Sequence, residues 1–264
     1  MDAAVVVDRT ICRTATGGLD GGHRRRLAVD LGGHWQLLCP GVVAGGTGAG
    51  LVEFNDSGVD MSDDSCSSVL SVTVETQVRE DVQRWLSQAV IGLNLCPFAK
   101  AVVVHERLRV RVSATRDTTS LLQTLEEELQ WLVATPLEQV ETTLLVAPFI
   151  CPDFLDFNDL VGQAQDVLDS LGLAGVLQVA DFHPRYQFAG TAEDDPGNFT
   201  NRAPYPILHL LREESVDRAL ASIPDAASIY ERNIALLEHM GRAGWDQLGI
   251  RTRCPFHHAT EDEP

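Results

Sequence analysis

Two short segments hold the residue types that could do chemistry. The first is Leu93-Asn94-Leu95-Cys96-Pro97-Phe98-Ala99-Lys100. Pro97 suits the first position of a helical turn, which makes Cys96 the cap and surrounds its thiol with backbone N–H groups. Lys100, the only lysine in the chain, follows about one turn later. Both features would stabilise a nucleophilic thiolate; the competing reading is a buried, inert thiol among apolar neighbours. The second segment runs from His183 to Tyr205. His183 is a candidate general acid or base, since an unperturbed imidazole titrates near neutrality; it is equally read as a half-buried ring bonded to a backbone carbonyl. Arg185 and Arg202 offer planar forks for an anionic ligand, or pair internally with Glu193, Asp194 and Asp195. Tyr186, Asn201 and Lys100 complete the candidate ligand-binding set. The acidic trio itself reads as a cation site or as a solvated turn, and no metal ligands are assigned.

That second segment is about 23 residues without a periodic apolar pattern, longer than compact domains usually tolerate unless the loop has a use. It is rich in Tyr, Phe and Pro, which favours an ordered loop. It leaves the carboxyl end of a strand, where open α/β sheets bind ligands.

The elements that must position these residues follow from hydrophobic period. A helical stripe begins at Glu75 and includes Val78, Val82, Trp85, Ala89 and Leu93, stopped by Gly92 and Asn94. Leu108 to Val112 alternates as a half-buried strand. Asp117 or Thr118 caps a helix carrying Leu121, Leu125, Leu129 and Leu132. Strands are expected at 142–146, 176–180 and 207–211, and a helix after Asp156. Two further helices are expected at about 213–221 and 225–240, with Gly241 as the final cap. The alternation predicts one α/β domain over residues 75–249, a small sheet, largely parallel or mixed, covered by helices. A two-layer α+β sandwich is the alternative.

The chain has 264 residues and a formal charge of −18. Such an acidic surface argues against nucleic-acid partners and anionic membranes, and no apolar run reaches membrane-spanning length. Six scattered cysteines and no secretory signal point to the cytoplasm. Residues 1–60 hold 12 of the 21 glycines, including Gly45-Gly46-Thr47-Gly48-Ala49-Gly50. No P-loop lysine follows that tract. Residues 1–74 are expected to be a disordered extension or a mis-assigned gene start, with translation beginning at Met61. Residues 250–264, including Cys254-Pro255-Phe256-His257-His258, read as a flexible tail.

Three motifs carry a family resemblance: Asn94 to Ala99, Phe182 to Thr191, and Asn198 to Glu213, with Glu231-Arg232-Asn233-Ile234 beside them. Together they resemble the bacterial family catalogued as domain of unknown function 1415, over about residues 75 to 249. The resemblance implies a stand-alone bacterial domain without a long N-terminal extension. It carries no activity, cofactor or catalytic role. Two functions are therefore expected to compete: an enzyme acting on a small anionic metabolite at the 183–205 loop, and a non-catalytic ligand-binding or regulatory module using the same loop.

Overall fold

The computed structural model describes residues 63–221 and 227–250. The glycine tract, Met61 and the Cys254 to His258 segment lie outside them. Helix α1 (Asp63–Trp85) passes directly into a π-helical turn, Leu86–Ile91. There follow α2 (Ala99–Val104), β1 (Leu108–Val112), α3 (Thr118–Ala134), β2 (Thr142–Val146), α4 (Phe154–Ser170) and β3 (Leu177–Phe182). A 3₁₀ helix (Pro196–Asn201), β4 (Ile207–Arg212), α5 (Glu213–Ala221) and α6 (Ala227–Gln247) complete the described chain.

The four strands form one mixed sheet in the order β1-β2-β4-β3. β1 and β2 are parallel, with Val110 beside Leu144. β4 is antiparallel to both neighbours, placing Thr142 beside Leu211 and Ala180 beside His209. The reason lies in the connections. The β1–β2 link contains a helix long enough for a crossover, whereas Phe182 and Ile207 pair at one end of the β3–β4 ladder. Residues 183–206 are therefore an enlarged hairpin loop, and a hairpin can join only antiparallel strands. The sheet is the mixed one among the expected alternatives, in a single α/β domain.

Period-two alternation separates two apolar layers. On one face Leu145, Leu208 and Leu210 meet Leu121, Leu125 and Leu129 of α3 and Phe157, Leu160 and Leu168 of α4. Each such side chain removed from water stabilises the fold by about 1.5–3 kcal/mol. Both helices start as the chemistry of caps requires. Asp117 Oδ1 accepts the Ser120 N–H at 2.8 Å, and Asp153 Oδ1 accepts that of Leu155 at 2.8 Å. The second cap places the start of α4 at Phe154, ahead of Asp156. On the same face the edge strand β1 presents Arg109, whose Nε and Nη2 donate to Glu128 Oε2 and Oε1 at 2.8 and 3.0 Å. Its guanidinium lies 4.2 Å from the centre of the Trp131 ring.

On the other face Leu144, Val146 and Ile207 meet Val78, Val82 and Trp85 of α1, Ala89 of the π turn, and Leu237 and Trp245 of α6. Gly241, at φ 59°, interrupts α6 as a cap would, but the helix resumes beyond it and returns Trp245 to stack on Phe199 at 5.0 Å. Where the π turn ends, an alanine Cβ at Gly92 would lie 2.3 Å from the Gln88 carbonyl oxygen, so the tight wind excludes a side chain. Asn94 then takes a left-handed φ of 55° and turns the chain away. Two residues of α6 hold that turn: Arg232 donates to the Asn94 carbonyl, and Asn233 Nδ2 to that of Leu95 at 2.8 Å. Two of the segments that carry the family resemblance thus meet in space.

Candidate functional site

A cavity of about 830 Å³ lies on this second face, between the sheet and the segment from the π turn to α2. Its floor takes residues from all four strands: Leu108, Thr142, Leu144, Gln178, Phe182, His209 and Leu211. Leu86 and Val90 of the π turn, the 95–99 segment and α2 roof it; Val216 and Ala219 of α5 close one side. A π turn shifts side-chain register within a helix and frequently accompanies functional sites. Here that shift brings Leu86 and Val90 over the floor. The exposed lining residues Ala101, Val103 and His105 mark the mouth.

Most of this lining is apolar, with a few placed polar groups, the usual make-up of a small-molecule site. Deep in it, His209 Nε2 lies 2.7 Å from Thr142 Oγ1, and that hydroxyl donates to the Leu210 carbonyl at 2.6 Å. Burial holds the His209 imidazole down to about 4, so it is neutral at physiological pH. The cations of the lining are engaged. Arg107 and Arg218 flank Glu141 at 3.7 and 3.3 Å, and Arg212 donates to the carbonyls of Leu132, Thr135 and Val140.

Of the residues singled out from sequence, Cys96 and Asn201 line this cavity. Cys96 is half-buried, and its thiol is pushed upward: burial outweighs the opposing hydrogen bonds from the Phe98 and Ala99 backbone. The cap effect expected from Pro97 is present but loses to desolvation, so Cys96 is not held as a thiolate. Lys100 is exposed and does not line the cavity.

His183 belongs to a different environment. It is 1% exposed, stacked on Phe157 at 5.1 Å in the α3–α4 core. Nε2 donates to the Cys151 carbonyl at 3.0 Å, while Nδ1 accepts the Arg185 N–H at 3.1 Å. Desolvation is the main cause of a pKa lowered to about 4. With both nitrogens occupied, the ring fastens the loop to the segment before α4. Neither its place nor its bonding suits it to serve Cys96 as a general base.

The arginines are likewise occupied, though by backbone carbonyls and Asp153 and not by the carboxylates of the acidic trio. Arg185 Nη2 donates to the Pro152 carbonyl at 2.7 Å and to Asp153 Oδ2 at 3.1 Å. Arg202 donates to the carbonyls of Tyr186 and Glu193 at 3.3 and 2.6 Å and lies 4.8 Å over Phe199. Tyr186 packs against Phe154 and Phe188, each at 4.9 Å. Asn201 donates to the Asp181 carbonyl at 3.2 Å, and its own carbonyl accepts the His183 N–H at 3.1 Å. Asp195 caps the 3₁₀ helix by accepting the Gly197 N–H. No group of three or more metal-ligating side chains gathers among the described residues.

A second, more open cavity of about 490 Å³ occupies the carboxyl ends of β1 and β2. Asp117, Asp156 and Asp159 line it, with Arg116 seated over Phe149 at 4.7 Å.

His209, Thr142 and Gln178 of the floor are not among the residues singled out from sequence as site candidates. Their signal is modest: each is a polar residue within or at the start of an otherwise apolar strand, as in Ile207-Leu208-His209-Leu210-Leu211.

Residues 77–247 match the family model described as protein of unknown function DUF1415, and the chain belongs to that family. No curated protein and no solved structure matches the chain. Among the described residues no helix is long and apolar enough to cross a membrane.

Proposed function

We propose that the chain is a binding module for a small, largely apolar molecule, held in the cavity between the sheet and the π turn. The single observation that carries this is the 830 Å³ volume, within the size range of small-molecule pockets, lined by apolar side chains around a buried His209–Thr142 pair. The site lies toward the amino-terminal ends of the three like-directed strands; the 183–205 loop lends it Thr200 and Asn201, while the loop's candidate cations bond internal carbonyls and Asp153. Binding without chemistry is favoured over catalysis by the protonation states of the groups present. The nearby thiol is raised and the imidazole is a weak base, so neither is poised for nucleophilic or acid–base work at neutral pH.

Fluorescence titration with N-phenyl-1-naphthylamine, a neutral apolar dye, tests this. Saturable one-to-one binding is expected, with a Kd on the order of 10 μM or tighter for a molecule of that size. Ala101→Trp, at the exposed mouth, fills the entrance without touching the core; it should abolish binding and leave the unfolding midpoint unchanged. Equal binding by the variant, or no saturable binding by the native protein, would refute the reading.

A further inference from the structure

The geometry points to His209 as the specificity-determining group of this cavity: its Nδ1 is a fixed hydrogen-bond acceptor, and the ligand is an uncharged apolar molecule carrying one O–H or N–H donor. This rests on the cavity being a binding site and goes on to name the class of occupant.

The number of protons shared by the two groups fixes the tautomer. The Thr142 hydroxyl owns one hydrogen and spends it on the Leu210 carbonyl, 2.6 Å away. Toward His209 Nε2, at 2.7 Å, the hydroxyl can then only accept, so Nε2 carries the ring proton. Nδ1 is left with its lone pair, and none of the described residues donates to it. His209 as a residue is partly buried although its strand is interior, and it forms part of the cavity floor. A low pKa keeps this tautomer uncharged across the neutral range. A buried acceptor strongly favours a ligand bearing a donor, since an analogue without one leaves the acceptor unpaired.

Charge around the cavity agrees. The cations Arg107 and Arg218 are shared by Glu141, Arg212 is engaged by three carbonyls, and Glu138 adds a further negative charge to the lining. A carboxylate ligand would face an acceptor nitrogen at the floor, and the lining arginines that could answer its charge are already bonded to Glu141 or to carbonyls.

Three naphthalene probes separate the possibilities: 2-naphthol, which has the donor; 2-methoxynaphthalene, which lacks it; and 2-naphthoate, which is charged. The native protein is expected to bind the naphthol about tenfold more tightly than the ether, the worth of one buried neutral hydrogen bond. Naphthoate should bind weakest. His209→Phe keeps the ring volume and leaves Thr142 bonded to Leu210, and should bring the naphthol-to-ether ratio to about one. Thr142→Val retains the imidazole but frees its tautomer, and should also narrow the ratio. In the native protein, imidazole ¹⁵N shifts should show an unprotonated Nδ1, a readout that needs neither variant to fold. Equal binding of naphthol and ether, tighter binding of naphthoate, or a protonated Nδ1 would overturn the assignment while leaving the cavity reading intact. If none of the probes binds, both fall together.

Discussion

Replacing Asn198 with alanine is expected to lower stability by about 3 kcal/mol, among the largest effects of any single polar substitution in the domain. The side chain is fully buried and uses all its capacity. Oδ1 accepts the Phe188 N–H and the Thr191 hydroxyl, both at 2.9 Å, while Nδ2 donates to the carbonyls of Ala192 and Glu193 at 2.8 and 3.4 Å. Alanine would strand the buried Phe188 N–H and free the loop tip from the 3₁₀ helix. Urea unfolding checks the size of the loss, and hydrogen exchange at the Phe188 and Thr191 amides checks its location. A loss below about 1 kcal/mol would contradict the account of the loop as a self-satisfied structural unit.

Acid is expected to destabilise the fold well before most carboxylates titrate. His183 and His209 both have pKa values lowered from 6.5 to about 4 in the folded chain, chiefly by burial. Between those values the unfolded chain binds more protons than the native one, so stability falls as pH falls. The stabilisation is fully present above about pH 6.5 and is lost by about pH 4. For His183 a difference of this size corresponds to about 3 kcal/mol, and His209 acts in the same direction. Urea midpoints measured from pH 7.5 to 4 should slope downward below 6.5. His209→Phe should make the slope shallower. A native protein equally stable at pH 7 and pH 4.5 would contradict the burial assigned to both rings.

Much of the frame is legible in residue order. Leu108–Val112 and Thr142–Val146 form the strands their alternation and β-branching indicate, and Asp117 caps α3 as its spacing before Leu121 requires. The direction of β4 is not written in its local period, because pairing depends on how residues 183–206 return the chain. That same loop resembles a binding site in residue types alone. A long buried connection must satisfy its own backbone, so it recruits His, Arg, Asn and Asp in the density that a binding site would also show. His183, Arg185, Arg202 and Asn198 all bond carbonyls or amides of the segments around them. The cavity leaves the opposite signature. It is a space between apolar side chains spread from Trp85 to Leu220, and their types match those of ordinary core residues. Besides Cys96 and Asn201, only Thr142, Gln178 and His209, polar within or at the start of apolar strands, hint at it.

The most direct test of the central claim is where an apolar ligand contacts the protein. Backbone amide shifts recorded during titration with N-phenyl-1-naphthylamine should move at Val90, Leu95, Val102, Leu144 and Leu211, around both floor and roof of the cavity. Shifts confined to residues 183–199, or to Phe149–Pro152 and Asp156 at the carboxyl ends of the strands, would place binding elsewhere and contradict the account.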